Sequence, residues 1–362
     1  MQVLVCPKCG MPIRMESLAC PHCETPVMFD PGLRTMVALD DDAEAGDLAP
    51  CANRTMLCNW AVPREGEQHL CFACRITRRR PDGGDPASLD RLAVASQALR
   101  RLLVGLADLD LPIVPFWVQQ GGLAFDLLDS KGGDQNVVIG QANGVITIDL
   151  AESIDAHREA QRVNLGEAYR TMLGHFRHEV GHYYSWQLVE KPGGPVLDEC
   201  RELFGDERAS YQEALDKHYS SGSPAGWAND YISEYATMHP SEDFAETFAH
   251  YQHIVATLST AAEGGLQLVP PPGTHYCNRT IAPRASYADV PFDVVLADWR
   301  WVAIFLNRAN HSMGKEDLYP FRIPEPVVAK LEFMHRVVIA AHTSKPFVED
   351  VAGIPATLSC TA

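Results

Sequence analysis

The sequence is short of positive charge. It has 30 Lys and Arg against 47 Asp and Glu, a formal charge of −17 over 362 residues. Binding a phosphate backbone depends on Lys and Arg, so this balance argues against a nucleic-acid partner. No apolar run approaches the roughly 18–20 residues a membrane span needs, which argues against a membrane protein. The opening residues, MQVLVCPKCG, lack a basic stretch followed by an apolar one, so no secretory signal is read there. Internal repeats are also missing, apart from paired Cys knuckles. Together these absences point to the cytoplasm, where the 11 cysteines are expected as metal ligands and free thiols rather than disulfides.

The length predicts one large domain with an appendage, and a hydrophobic fraction of 46% suffices for a packed core. The appendage is where the cysteines gather. Cys6-Pro-Lys-Cys9 and Cys20-Pro-His-Cys23 are two C-x-x-C pairs. Each offers two thiolates from a tight knuckle, and two knuckles close a tetrahedral zinc site. Cys51, Cys58, Cys71 and Cys74 form a second set with one knuckle and an irregular gap between its first two members; His22 and His69 are read as bystanders. Asp40 to Glu44, between the sets, reads as a solvated acidic linker. Arg78-Arg79-Arg80 and the Pro- and Gly-rich stretch to Pro86 read as a solvated hinge. The expected domains are therefore a double zinc-ribbon module over 1–80 and a larger domain over 88–362.

The chemistry centres on His178-Glu179-Val180-Gly181-His182, an H-E-x-x-H motif. Two His four residues apart share one helix face and can hold one zinc ion. Glu179 beside them is placed to take a proton from a zinc-bound water. Tyr169, Met172, Leu173, Phe176, Val180 and Tyr183 recur at helical spacing and predict a buried stripe, while His178 and His182 fall on another face with Thr171 and His175.

Around this helix the patterns are mixed. A helix capped by Ser88 is expected to lead to strands at 123–128 and 136–140. Asn143-Gly144 then predicts a tight hairpin turn into a strand at 145–148. Residues 144–150 are a candidate edge strand for pairing with an extended substrate. Further helices are expected near 198–204, 209–219, 294–307 and 326–341, with a long Pro-rich surface loop from 268 to 291. The fold class is α+β, mainly helical with a small sheet.

A catalytic zinc site needs a third protein ligand and an open fourth position. One known arrangement requires Gly and His three and six residues beyond the second His, but this chain has Ser185 and Leu188 there. Asp206 lacks supporting context. Glu242 is the best candidate: Ser241 can cap a helix on which Glu242 and Glu246 share a face. One of the two can bind zinc while the other hydrogen-bonds a ligand His. An acidic first turn complementing the helix dipole would also explain Glu242 and Asp243, though not Glu246.

H-E-x-x-H followed much later by Glu242-Asp243-Phe244-Ala245-Glu246 resembles the gluzincin metallopeptidases of the anthrax lethal-factor kind. More of the chain resembles the bacterial family called "putative zinc-binding metallopeptidases", which joins a zinc ribbon to such a core. That likeness is carried by Gly174–Glu179, Phe204–Arg208, His239–Glu246 and Asp317–Phe321. It implies a zincin-like domain with Glu242 as third zinc ligand, Glu246 behind a ligand His, and Tyr235, seven residues before Glu242, stabilising an oxyanion. Asp243 stands where lethal factor has Phe and competes with Glu246 for the supporting role. The resulting expectation is peptide-bond hydrolysis with Glu179 as general base, one catalytic and two structural zinc ions, a peptide or protein substrate, and a ribbon that binds substrate or a protein partner. A non-catalytic zinc-binding scaffold or adaptor, and an amidase acting on an isopeptide or other amide, are the alternatives.

Overall fold

In a computed structural model the described residues are 3–39, 46–65, 67–81, 84–132, 137–154, 171–269, 273 and 279–343. The acidic linker at 40–44, Tyr169 of the apolar stripe and the start of the strand expected from 136 lie outside them, as does most of the Pro-rich loop's centre. The architecture is α+β with eight described helices and small sheets, as expected. No described helix is long and apolar enough to cross a membrane. The described chain forms two compact units, one up to residue 154 and one from 171 to 343.

The first unit begins with three small antiparallel pairs: β1 (Leu4–Val5) with β2 (Pro12–Ile13), β3 (Val27–Asp30) with β4 (Thr35–Ala38), and β5 (Leu48–Pro50) with β6 (Ala61–Pro63). Met28, Val37 and Ala61 form a miniature core there. Two thiolate sets dominate so small a module because its apolar burial is slight. Helix α1 (Phe72–Ile76) starts at Cys71 and feeds β7 (Thr77–Arg79). This strand is a correction: the triple-arginine stretch is not a free hinge. It pairs parallel to β8 (Ala124–Leu128), and Arg78 grips Asp126 with two bonds of 2.8 and 3.1 Å.

Helix α2 (Pro86–Asp108) starts earlier than expected, because Asp85 caps it and Pro86 occupies its first turn; Ser88 instead bonds Asp129. The hairpin expected at Asn143-Gly144 forms between β9 (Gly140–Ala142) and β10 (Val145–Asp149). Asn143 and Gly144 have φ of 50° and 83°, the left-handed values a two-residue hairpin turn requires. The sheet order is β7-β8-β10-β9, so β10 is flanked on both sides. The expectation that residues 144–150 offer an open edge is thereby overturned; their hydrogen bonds go to β8 and β9.

The second unit is helical: α3 (Met172–Ser185), α4 (Pro195–Phe204), α5 (Tyr211–Ser221), α6 (Pro240–Glu263), α7 (Phe292–Ser312) and α8 (Glu325–Thr343). Met172, Phe176, Val180 and Tyr183 are buried on α3, as their spacing predicts, whereas Leu173 of the same expected stripe is only half-buried. Phe244, Phe248, Tyr251 and Ile254 are their counterparts on α6. The two helices pack unusually close. A methyl group added at Gly181 would sit 2.9 Å from the Ala245 Cα, nearer than real contacts allow. The small residue inside the H-E-x-x-H motif therefore lets Glu242 and Glu246, on either side of Ala245, reach the two His.

Candidate metal centre

The first turn of α6 starts two residues earlier than Ser241 suggests. His239 is the N-cap and Pro240 the first helical residue. His239 Nδ1 accepts from the Ser241 amide at 3.1 Å, and Nε2–H donates to the Ala209 carbonyl at 3.0 Å. Glu242 then lies one turn into α6, almost wholly buried.

Three ligand atoms converge there. His178 Nε2 and His182 Nε2 are 3.2 Å apart, and Glu242 Oε2 stands 2.9 Å from the first and 3.4 Å from the second. Tetrahedral zinc with bonds near 2.05 Å has ligand–ligand edges of about 3.3 Å. Glu242 Oε2 is buried, yet among the described residues no donor meets it in hydrogen-bonding geometry. Close oxygen and nitrogen atoms that are not bonded to one another are what lone pairs aimed at a common ion look like. A zinc ion therefore fits His178, His182 and Glu242.

The surroundings orient this set. Glu246 Oε1 is 2.7 Å from His178 Nδ1, so the ring donates Nδ1–H to it and leaves Nε2 free for a metal. Burial would raise the Glu246 carboxyl, but its bond to His178 outweighs that and holds it at about 2. Glu179 is buried beside the pair with Oε1 3.3 Å from His175 Nε2, while Oε2 has no hydrogen-bond partner among the described residues. Burial pushes its carboxyl up, and His175 with the neighbouring imidazoles brings it below its ordinary value. Tyr235 lies on the same side, its ring 5.8 Å from that of His178. Burial, then the Glu242 carboxylate, push its phenol up, so the hydroxyl keeps its proton.

Asp243 and Asp206 go elsewhere. Asp243 Oδ2 meets Lys330 Nζ at 2.6 Å on α8, so Glu246 alone of the two carboxylates supports His178. Asp206 is exposed and pairs with Arg208 at 2.6 Å. Lys330 also donates to the Asp230 carbonyl at 2.8 Å and lies over the Tyr231 ring. Lys330 and Asp243 are 5% and 1% exposed, and breaking such a buried pair leaves a charge uncompensated. Lys330→Met is expected to lower unfolding stability by roughly 3 kcal/mol in urea titrations; a midpoint equal to wild type would contradict this.

Both cysteine sets are assembled. Cys6, Cys9, Cys20 and Cys23 converge, as do Cys51, Cys58, Cys71 and Cys74. Their sulfur separations of 3.6–3.7 Å match the edges of about 3.8 Å in a zinc tetrathiolate. They are far from the roughly 2.05 Å of a disulfide. The irregular gap between Cys51 and Cys58 is taken up by a short 3₁₀ helix, Ala52–Met56, which returns the chain to the cluster. His22 and His69 belong to neither set.

A family described as "Putative zinc-binding metallo-peptidase" matches residues 88–337, and a zinc-ribbon domain family matches residues 3–85. The chain belongs to this metallo-peptidase family. It is 44% identical over 335 residues to uncharacterised proteins of Mycobacterium bovis and of two Mycobacterium tuberculosis strains, covering 92% of this chain and 94% of each relative. No solved structure matches it.

The stretches that carried the family likeness surround this centre. In Gly174–Glu179, His175 meets Glu179, and Arg177 bonds His253 on α6 at 2.5 Å. In Phe204–Arg208, Phe204 packs on Phe244, and Gly205, at φ 98°, turns beneath Pro240 at the start of α6. In Asp317–Phe321, the Tyr319 hydroxyl is 2.9 Å from His250 Nδ1, and Phe321 packs on the same ring. His250 is one turn beyond Glu246, and burial pushes its imidazole down to about 4. His175 and His239 were marked in the sequence only by their place in those stretches and, for His175, on the ligand face, and His250 carried no signal, because each acts through a partner set by the fold.

Proposed function

We propose that this chain is a zinc-dependent peptidase. The observation that carries the reading is the convergence of His178 Nε2, His182 Nε2 and Glu242 Oε2, with an unpartnered Glu179 oxygen buried beside them. Among the described residues three protein ligands meet there, not four, which favours an open catalytic site over a closed structural one. Zinc in such a set supplies Lewis acidity, making water a stronger acid and polarising a carbonyl.

The chain's own residues do the rest. Glu246 fixes the His178 tautomer. Glu179 accepts the proton of the attacking water and returns it to the leaving nitrogen, held in place by His175. Tyr235 donates a hydrogen bond to the oxygen on which charge develops. The two cysteine sets each hold a structural zinc, giving three ions in all. The ribbon, 1–80, binds substrate or a protein partner, and 88–362 acts as the catalytic domain; the family matches at 3–85 and 88–337 support that division. Eight thiolate ligands without disulfides suit the cytoplasm. The Glu–x–x–x–Glu arrangement on α6 supports a gluzincin-type core of the lethal-factor kind.

Zinc-loaded protein incubated with a proteome-derived peptide library is expected to generate new peptide termini, read by mass spectrometry, that disappear with a zinc chelator. A library left intact at high enzyme concentration would contradict the reading and favour the scaffold.

A further inference from the structure

Helix α2 carries three arginines, Arg91, Arg100 and Arg101. Two of them meet carboxylates: Arg91 reaches Asp129 at 2.6 Å, and Arg101 reaches Glu16 at 2.5 Å. Arg100 is the most deeply buried, 2% exposed, and among the described residues no carboxylate pairs with it. Its Nη2 donates one long hydrogen bond, 3.4 Å, to the Leu57 carbonyl, and its Nε–H meets no acceptor among the described residues. A buried charge without a counter-charge is costly, so a negative group has to stand near Arg100.

Its neighbours supply one. The Leu57 carbonyl belongs to the peptide group that joins Leu57 to Cys58, so the guanidinium lies against the entry to the second cysteine set. Cys58, Cys74, Arg80 and Arg100 line one cavity, and no Asp or Glu among the described residues lines it with them. Four thiolates around one zinc ion leave two negative charges in excess. Arg80, half-buried, is likewise without a carboxylate partner among the described residues and brings a second cation to the cavity. Two cations then balance the two excess negative charges.

We infer that Arg100 is the counter-ion of a zinc tetrathiolate at Cys51, Cys58, Cys71 and Cys74, and that Arg80 completes the charge balance. Helix α2 and the last residue of the triple-arginine run thus finish a metal site whose ligands lie in the ribbon. The cations also keep the site inert, because lowering the basicity of a thiolate lowers its nucleophilicity. This rests on the reading that the second cysteine set holds zinc, and not on the peptidase reading.

Iodoacetamide alkylation of the full-length, zinc-loaded protein, followed at each cysteine by peptide mass spectrometry, tests this. Arg100→Gln keeps a donor for the Leu57 carbonyl and removes the charge. It is expected to quicken alkylation of Cys51, Cys58, Cys71 and Cys74 roughly 10–100-fold, as loss of one partner from a buried charge pair should. Cys6, Cys9, Cys20 and Cys23 should react as in wild type. Arg100→Lys keeps the charge and should leave the second set close to wild type. Arg80→Gln should act in the same direction but less, because a half-exposed charge is partly screened; no change there would remove Arg80 from the balance. Wild-type rates in Arg100→Gln, or equally fast alkylation in Arg100→Lys, would overturn the counter-ion role. An equal rise in both cysteine sets would reveal general unfolding and overturn it too. Zinc per chain in wild type and in the double variant Cys58→Ser, Cys71→Ser separates the two readings. Equal content would remove the second zinc itself, whereas a difference with unmoved alkylation rates would remove only Arg100.

Discussion

Glu179→Gln is expected to retain zinc and lose roughly 10²–10⁴-fold in kcat, the range that a positioned general base contributes. The substitution is nearly isosteric. One oxygen of Glu179 meets His175 at 3.3 Å, and a Gln carbonyl can keep that contact by accepting from the imidazole. The other oxygen, buried and without a partner, would become an amide nitrogen that cannot take a proton. Little else changes, because Glu179 is not among the three converging ligand atoms. Zinc content and the steady-state constants on a peptide chosen from the library check this. Hydrolysis at the wild-type rate would assign the base elsewhere.

Glu242→Ala acts on the ion instead. Removing one of three protein ligands leaves two imidazoles, and the zinc affinity of this centre is expected to fall by more than 100-fold. Glu246→Gln, which touches only the far nitrogen of His178, should cost less, about 10–100-fold, as the loss of an outer partner generally does. The fold should survive in both cases, since the close approach of α3 and α6 depends on Gly181 and Ala245 rather than on either carboxylate. Competition with a chromophoric chelator would measure the order. Equal affinities for wild type and Glu242→Ala would remove Glu242 from the ligand set.

What could be read in the sequence was what local spacing determines. The i, i+4 geometry of His178 and His182, the C-x-x-C knuckles, the buried stripe of α3 and the Asn-Gly hairpin each involve residues a few positions apart, and each is present. What escaped depends on partners far along the chain. Asp243 looked like a rival to Glu246 until Lys330, 87 residues on, claimed it. Arg78 looked solvated because Asp126, its partner, lies across a parallel pairing that no hairpin announces. Residues 144–150 looked like an edge because one flanking strand, β8, comes from earlier in the chain.

Ser241 and His239 show a finer limit. Both can cap a helix followed by acidic residues, and the choice between them fell to Pro240, which suits the first helical position and has no amide hydrogen to satisfy. Shifting the cap by two residues leaves the shared face of Glu242 and Glu246 unchanged, so the ligand assignment did not depend on it.

The central claim is that His178, His182 and Glu242 hold a zinc ion with one position left open, apart from the two cysteine sets. Anomalous diffraction from crystals of the zinc-loaded protein, collected on both sides of the zinc edge, tests it directly. Three peaks are expected: one inside each set of four cysteines, and one bonded to His178, His182 and Glu242 with no fourth protein ligand. Absence of the third peak, or a third zinc closed by a fourth side chain, would contradict the account.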